Sequence, residues 1–427
     1  MSEPVDFPSI TEQIRKNNSE LTTLDLFNYH IGDVGCVVVA GALERNTTLT
    51  ELKLSRNKLG EISGVAVAGA LERNTTLMTL NLGFNYLGKV SGVALASALE
   101  TNITLMILDI GGNNLRESGG VAFARLLERN TTLTSLKLWG NHLGKRSGIA
   151  IACALENNTT LTSLDLGLNE LGEEGGSAVA SALERNTTLT TLEIGDNELG
   201  EVGSAAVASL LVRNTTLMIL DINSNEFREV GCASIACALE RNTTLMELYL
   251  DGNCFGEGMC MAIARALERN TTLTTLDLGH NDLEQGKGVA VARALERNTT
   301  LTYLTLRNNC LGELDGVAIA RVLKRNTTLT KLDLWENELG YDGGLAVVSA
   351  LDKNTTLTEL DLSRNEVGEG FGEIVLDMLK KNTSLTSLGI DSDIDYYSDI
   401  QGILSEREPP NQGLPVSVKA AIPSIPR

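Results

Sequence analysis

A segment written LTELKLSRNKLG begins at Leu49 and returns every 28 residues, with no residue inserted or deleted. Equivalent segments begin at Leu21, Leu77, Leu105, Leu133, Leu161, Leu189, Leu217, Leu245, Leu273, Leu301, Leu329, Leu357 and Leu385, which makes fourteen units. Each is read as L-x-x-L-x-L-x-x-N-x-L. A period of this length constrains the fold more than any composition does. One unit cannot bury its own apolar face, so neighbours must stack into a continuous core. The 427 residues therefore predict one elongated array, where length alone would suggest two or three globular domains.

The physics of a unit can be followed from Leu49 to Thr76. Leu52 and Leu54 alternate with Glu51, Lys53 and Ser55, the pattern of a short strand with one buried face. Asn57 then turns the chain. Its amide is expected to bond the backbone of the neighbouring turn, so that stacked units share a ladder of buried polar groups. Further on, Gly64, Val67, Ala68 and Leu71 sit at i, i+3, i+4 and i+7, one face of a helix. Ala70, Leu71, Glu72 and Arg73 favour helix as well, which outweighs the strand-like alternation of Val65-Ala66-Val67-Ala68. Asn74 is expected to end that helix in the left-handed conformation. Thirteen units carry Asn-x-Thr or Asn-x-Ser at this junction, from Asn46 to Asn382. As glycosylation acceptors they would imply secretion; the helix-ending role accounts for them without it.

The Leu-Gly turn, the Ala-rich helix and the Asn-x-Thr-Leu junction resemble leucine-rich repeats of the ribonuclease-inhibitor-like class. That class also supplies the repeat domains of NOD-like receptors and of Ran GTPase-activating proteins. The resemblance covers about residues 21–392 and implies an α/β fold, a leucine-rich-repeat horseshoe solenoid of fourteen 28-residue strand-turn-helix units with a parallel concave sheet. Strands about 4.8 Å apart facing helices roughly 8–10 Å apart would bend such an array by roughly 20–25° per unit. The resemblance is specific for scaffold and says little about function.

All seven prolines lie outside the array, at Pro4, Pro8, Pro409, Pro410, Pro415, Pro423 and Pro426. They mark its limits, because proline would break a strand or helix in any unit. The expected organisation is an N-terminal helical cap over residues 1–20, the solenoid over 21–392, a degenerate C-terminal cap over 393–408 and a mobile Pro-rich tail over 409–427. In the last unit Asp393 replaces the ladder Asn and Asp395 the closing Leu, and the stretch from Tyr396 to Glu408 reads as a helix.

A formal net charge of −20 argues against nucleic acid and anionic membrane surfaces as partners, since both need a basic face. The first residues show no signal pattern, and no apolar run reaches the ~18 residues of a membrane helix. Seven cysteines, odd in number and without a CxxC pair, fit a reducing compartment. A cytoplasmic location is expected. The run Asp391-x-Asp393-x-Asp395 resembles the start of a calcium loop, but Tyr396 stands at the turn glycine and Gly402 at the bidentate Glu. No Walker motif, HExxH or nucleophile elbow occurs. The chain is expected to be no enzyme and to need no metal or cofactor.

The informative residues are those that the scaffold does not dictate, at strand positions pointing into the concavity. Both tryptophans, Trp139 and Trp335, occupy the same slot seven units apart. All three histidines, including His142, and the aromatics Phe27, Phe84, Tyr86, Tyr249 and Tyr303 are assigned to this surface. Aromatic residues are the usual anchors of protein interfaces. Between Leu161 and Leu283 the inward slots hold eleven acids and no Lys or Arg, among them Asp165, Glu193, Asp221 and Asp277. The expected function is a non-catalytic scaffold, likewise expected to be monomeric, whose acidic, aromatic concavity captures a protein with a basic surface. Truncating either tryptophan is expected to leave folding stability almost unchanged. Two alternatives follow from the resemblance. One is a Ran-directed GTPase activator, although the acidic tail usual in that family is missing. The other is a recognition fragment similar to a NOD-like receptor.

Overall fold

The structure, a computed structural model, describes residues 7–253 and 257–407. Three-residue strands recur at the repeat spacing from β1 (Thr23–Asp25) to β14 (Ser387–Gly389). They pair in parallel and in chain order as one fourteen-stranded sheet. Helix α1 (Phe7–Arg15) precedes β1, a helix follows every strand, and α15 (Tyr397–Ser405) is the last. Residues 1–6, 254–256 and 408–427 lie outside the described residues, and with them part of the expected N-terminal cap and the Pro-rich tail. Each strand residue pairs with its equivalent 28 positions on, as in Glu51 with Thr79, Leu52 with Leu80 and Lys53 with Asn81. This register lines up equivalent slots of all units into straight rows across the sheet.

The core lies between the sheet and the helices. In the second unit Leu49, Leu52, Leu54, Leu59, Val67, Ala68 and Leu71 are all buried, while Val65 turns outward. The segment is the helix Glu61–Leu71, so the helical face outweighed the local alternation. Each fully buried Leu stabilises by about 1.5–3 kcal/mol, and the stack repeats that contribution unit after unit.

The expected ladder forms. Asn57 Nδ2 donates to the carbonyls of Leu26 and Ser55, and its backbone N–H donates to Asn85 Oδ1 at 2.9 Å. The same pattern links Asn113 to Asn141, Asn141 to Asn169 and onward to Asn337. The first unit departs from the motif: Tyr29 stands at its ladder slot, so the series starts at Asn57.

The junction asparagines correct the sequence reading. None of the thirteen has positive φ; Asn130 (φ −74°, ψ 134°) and Asn214 (φ −75°, ψ 138°) are extended. They form a second buried ladder instead. Asn74 Nδ2 donates to Leu43 O at 2.8 Å and Asn46 O at 3.1 Å, and its Oδ1 accepts the N–H groups of Thr76 and Leu77. A side chain used across the stack in this way has no reason to adopt the left-handed region. Left-handed residues flank the first ladder, as at Arg56 and Lys58. The thirteen carboxamides are all buried, so the folded chain offers no glycosylation acceptor there.

Both ends of the stack must satisfy groups that have no neighbouring unit. Near α1, Ile14 O accepts from Asn46 Nδ2 at 2.7 Å and Asn17 Oδ1 accepts from Thr47 N–H. Beyond α15, the Arg407 guanidinium donates to Leu379 O at 2.7 Å and Leu385 O at 2.9 Å. The Leu379 carbonyl is the acceptor that the junction Asn of a following unit would otherwise fill. Arg407→Ala should therefore destabilise the last unit by ~1–3 kcal/mol. Hydrogen exchange across β14 and α15 should speed up; unchanged protection there would show that the guanidinium caps nothing.

Candidate functional site

The rows created by the register define the candidate surface. One row, through Lys53, reads Asp109, Lys137, Asp165, Glu193, Asp221, Tyr249 and Asp277 over units 4 to 10. Its acids have a local task that the sequence did not reveal. Each Asp carboxylate accepts the backbone N–H two residues on: Asp109 from Gly111, Asp165 from Gly167, Asp221 from Asn223 and Asp277 from Gly279. Asn81 does the same for Gly83 at 2.9 Å. Asp165 and Asp221 are only 8% exposed. Burial, joined by the charge of Glu193, pushes the Asp165 carboxyl up to about 7 against the pull of Gly167 N–H and Lys137. Burial likewise holds Asp277 up at about 6, with Asp251 adding and Arg307 opposing. Glu193 is half-buried beside them.

A cation from outside the acidic third reaches into it. Arg307 leans back over Gly279 and places Nη2 2.8 Å and Nε 3.2 Å from Asp251 Oδ2. A Cβ at Gly279 would strike both partners, so only glycine permits this clasp. The middle of the face is consequently less negative than its eleven acids suggest.

Trp139 uses the same backward lean. Its indole covers Gly111, where a Cβ would collide with the ring, and meets Phe84 edge-on at 4.7 Å. Arg56 lies over the Phe84 ring, 4.2 Å from its centroid. The expectation that removing this tryptophan leaves stability untouched is corrected: the ring packs on its neighbours, and aromatic pairs of this kind contribute ~0.5–1.5 kcal/mol beyond their buried area. Trp335 lies between Arg364, 5.0 Å away, and His280, 6.5 Å away. Both indoles are half-buried.

The other candidates are dispersed. Tyr249 is half-buried between Asp221 and Asp277 and donates its hydroxyl to Glu247 Oε2 at 2.7 Å; burial and that carboxylate raise its pKa. Tyr303 is half-buried one row nearer the strand start, with its pKa also raised by burial. His142 sits past the ladder Asn, exposed on the turn and off the strand, with Nδ1 2.6 Å from Glu170.

One row was missed altogether. Immediately after the first Leu of each unit most units carry Thr, and its hydroxyl donates to the preceding unit's carbonyl, as Thr50 does to Thr22 and Thr162 to Thr134. Met78, Met106, Met218 and Met246 interrupt this row. With Ile107 and Phe84 they are between 41% and 49% exposed. The only trace in the sequence is Met where Thr is usual. Among the described residues no His, Cys, Asp and Glu groups converge as a metal-holding cluster, and no helix is long and apolar enough to cross a membrane.

A family model described as "Leucine Rich repeat" matches residues 45–68, 73–96, 101–124, 129–152, 157–180, 185–208, 213–236 and 269–285. A second, described as "TMOD/LMOD Leucine-rich domain", matches residues 280–397. Among solved structures, a chain of the Rad7 and Elc1 complex in yeast is similar over 92% of this chain and 86% of its own, at 15% identity and TM-score 0.53. An internalin from Listeria monocytogenes is 21% identical over 77% of this chain and 83% of its own, at TM-score 0.47. The structure titled "Leiomodin-1 Actin-Binding Site 2 (ABS2)" is 24% identical over 43% of this chain and 90% of its own, at TM-score 0.31. No curated protein matches the chain. With the repeat model, the period and the single parallel sheet in agreement, the chain is a leucine-rich-repeat protein.

Proposed function

We propose that the chain is a non-catalytic, monomeric, cytoplasmic scaffold that captures a protein with a basic surface on its concave face. The observation that supports this reading is the rows themselves. At the slots outside the Leu core, aromatic residues and carboxylates gather on one side of the sheet, where a partner can meet both. Trp139, Trp335, Tyr249 and Tyr303 are the proposed anchors, with Asp165, Glu193, Asp221 and Asp277 as the acidic strip and His142 on its rim. Aromatic anchors supply affinity, and the carboxylates supply orientation and association rate.

Lysine at buried Asp221 would damage the turn that it holds, so the test uses its exposed and half-buried neighbours. Glu193→Lys with Asp196→Arg reverses two charges, and the second substitution is tolerated by the scaffold because Arg56 occupies the equivalent left-handed slot. Surface-plasmon titration of partners captured from lysate should show a slower association rate for the double variant, by roughly tenfold at low salt. An association rate equal to wild type would place the docking face elsewhere.

The TMOD/LMOD match favours a second reading, in which the units over residues 280–397 dock on actin, the partner that the leiomodin-1 title names. Purified actin in the same titration decides between them: binding that survives the charge reversal supports the second reading.

A further inference from the structure

We infer that the concave face of units 3 to 10 receives an amphipathic, net-basic protein segment, with its apolar side on units 3 to 5 and its Lys and Arg over the acidic row that follows. This rests on the concave docking proposed above and adds the chemistry of the partner. Met78, Met106 and Ile107 form an exposed apolar group where two adjacent strands begin, and Phe84, stacked with Trp139, adds exposed apolar surface on the turn past the other end of the strand. Packing does not require it. The scaffold's own choice after the first Leu is Thr, whose hydroxyl bonds the neighbouring carbonyl. Met gives up that bond and presents apolar surface to water, which costs stability without any return inside the fold. Methionine is also the residue best able to reshape itself around an apolar ligand.

The group recurs as Met218 and Met246 five units on, beside Asp221, Glu247 and Tyr249. Charge then selects the occupant. From Asp165 to Asp277 the adjoining row is carboxylate-rich, with Lys137 at its beginning and Arg307 clasped to Asp251 at its end. An acidic segment would be repelled along most of this path. A basic one would also offset the Glu193 charge that adds to burial in holding the Asp165 carboxyl up. Seven strand spacings of ~4.8 Å give about 34 Å, close to the ~30 Å length of a helix of ~20 residues.

The test uses the full chain and four synthetic 20-residue peptides in calorimetric titration. These are an amphipathic Leu/Lys helix, a scramble of it that destroys the apolar face, a Gln/Lys peptide of equal charge, and a Leu/Glu helix. The amphipathic Leu/Lys peptide should bind at least tenfold tighter than the scramble and the Gln/Lys peptide. A variant carrying Met78→Thr, Met106→Thr and Ile107→Thr restores residues that other units hold at these slots, so folding is not at risk. It should lose the tenfold preference and keep the affinity for the Gln/Lys peptide. Equal affinities for the three basic peptides, or an unchanged preference in the triple variant, would overturn the inference and leave acidic docking standing. No saturable binding of any basic peptide, or tighter binding of the Leu/Glu helix, would overturn both readings.

Discussion

Replacing Asn141 with alanine should lower the unfolding free energy by about 3 kcal/mol. Its carboxamide is fully buried and serves five backbone groups at once. Nδ2 donates to the carbonyls of Ile110, Leu138 and Trp139, and Oδ1 accepts the N–H groups of Asn113 and Leu115. A buried backbone group left unpaired costs ~1–3 kcal/mol. Several of these are orphaned together, and water can reach only some of them after relaxation. Thr134→Ala is the comparison. It removes one hydroxyl bond, to Met106 O at 3.1 Å on the open side of the sheet, and should cost under ~1 kcal/mol. Because a solenoid unfolds by neighbouring units, the loss should appear first as local exchange around units 4 to 6. Similar urea midpoints for the two variants would mean that the ladder adds nothing.

Asp165→Asn should stabilise the protein, and more so as the pH rises. The folded carboxyl ionises near 7 and the unfolded one near 3.8, so between these values the folded state holds the extra proton. Stability from this group is therefore fully present at low pH, falls as pH rises through that window, and is gone above 7. Asparagine has no proton to lose and can keep the bond to the Gly167 N–H, since Asn81 makes that bond at the equivalent slot. The variant's advantage over wild type should be larger at pH 8 than at pH 5 by up to about 3 kcal/mol, with Asp277 still titrating in both proteins. Chemical denaturation at the two pH values measures it; an advantage that does not change with pH refutes the buried-carboxylate account. The same ionisation should strengthen capture of a basic partner between pH 6 and 8.

Much of this architecture was legible in the sequence because the 28-residue period repeats one packing problem fourteen times. Leu52 and Leu54, Val67 and Leu71 announce a strand face and a helix face, and Asn57 announces a turn with an amide to be satisfied. These are local facts, since a side chain's period sets its face. The residues of the candidate face were read less well, for a physical reason. Whether Asn74 ends a helix or bridges a stack depends on the unit before it. Whether Asp165 is a surface charge or a buried turn acceptor depends on Lys137, Glu193 and the Gly167 N–H around it. Arg307 neutralises an acid two units away across a glycine, a pairing that no local pattern announces. Trp139 looked like a free anchor, yet it rests on Gly111 and Phe84. The period alone determined the scaffold, because stacking identical units admits one solution. Exposure, charge and pairing on the concave face were decided only by the tertiary structure, because each is set by side chains lying 28 or 56 residues away in the chain.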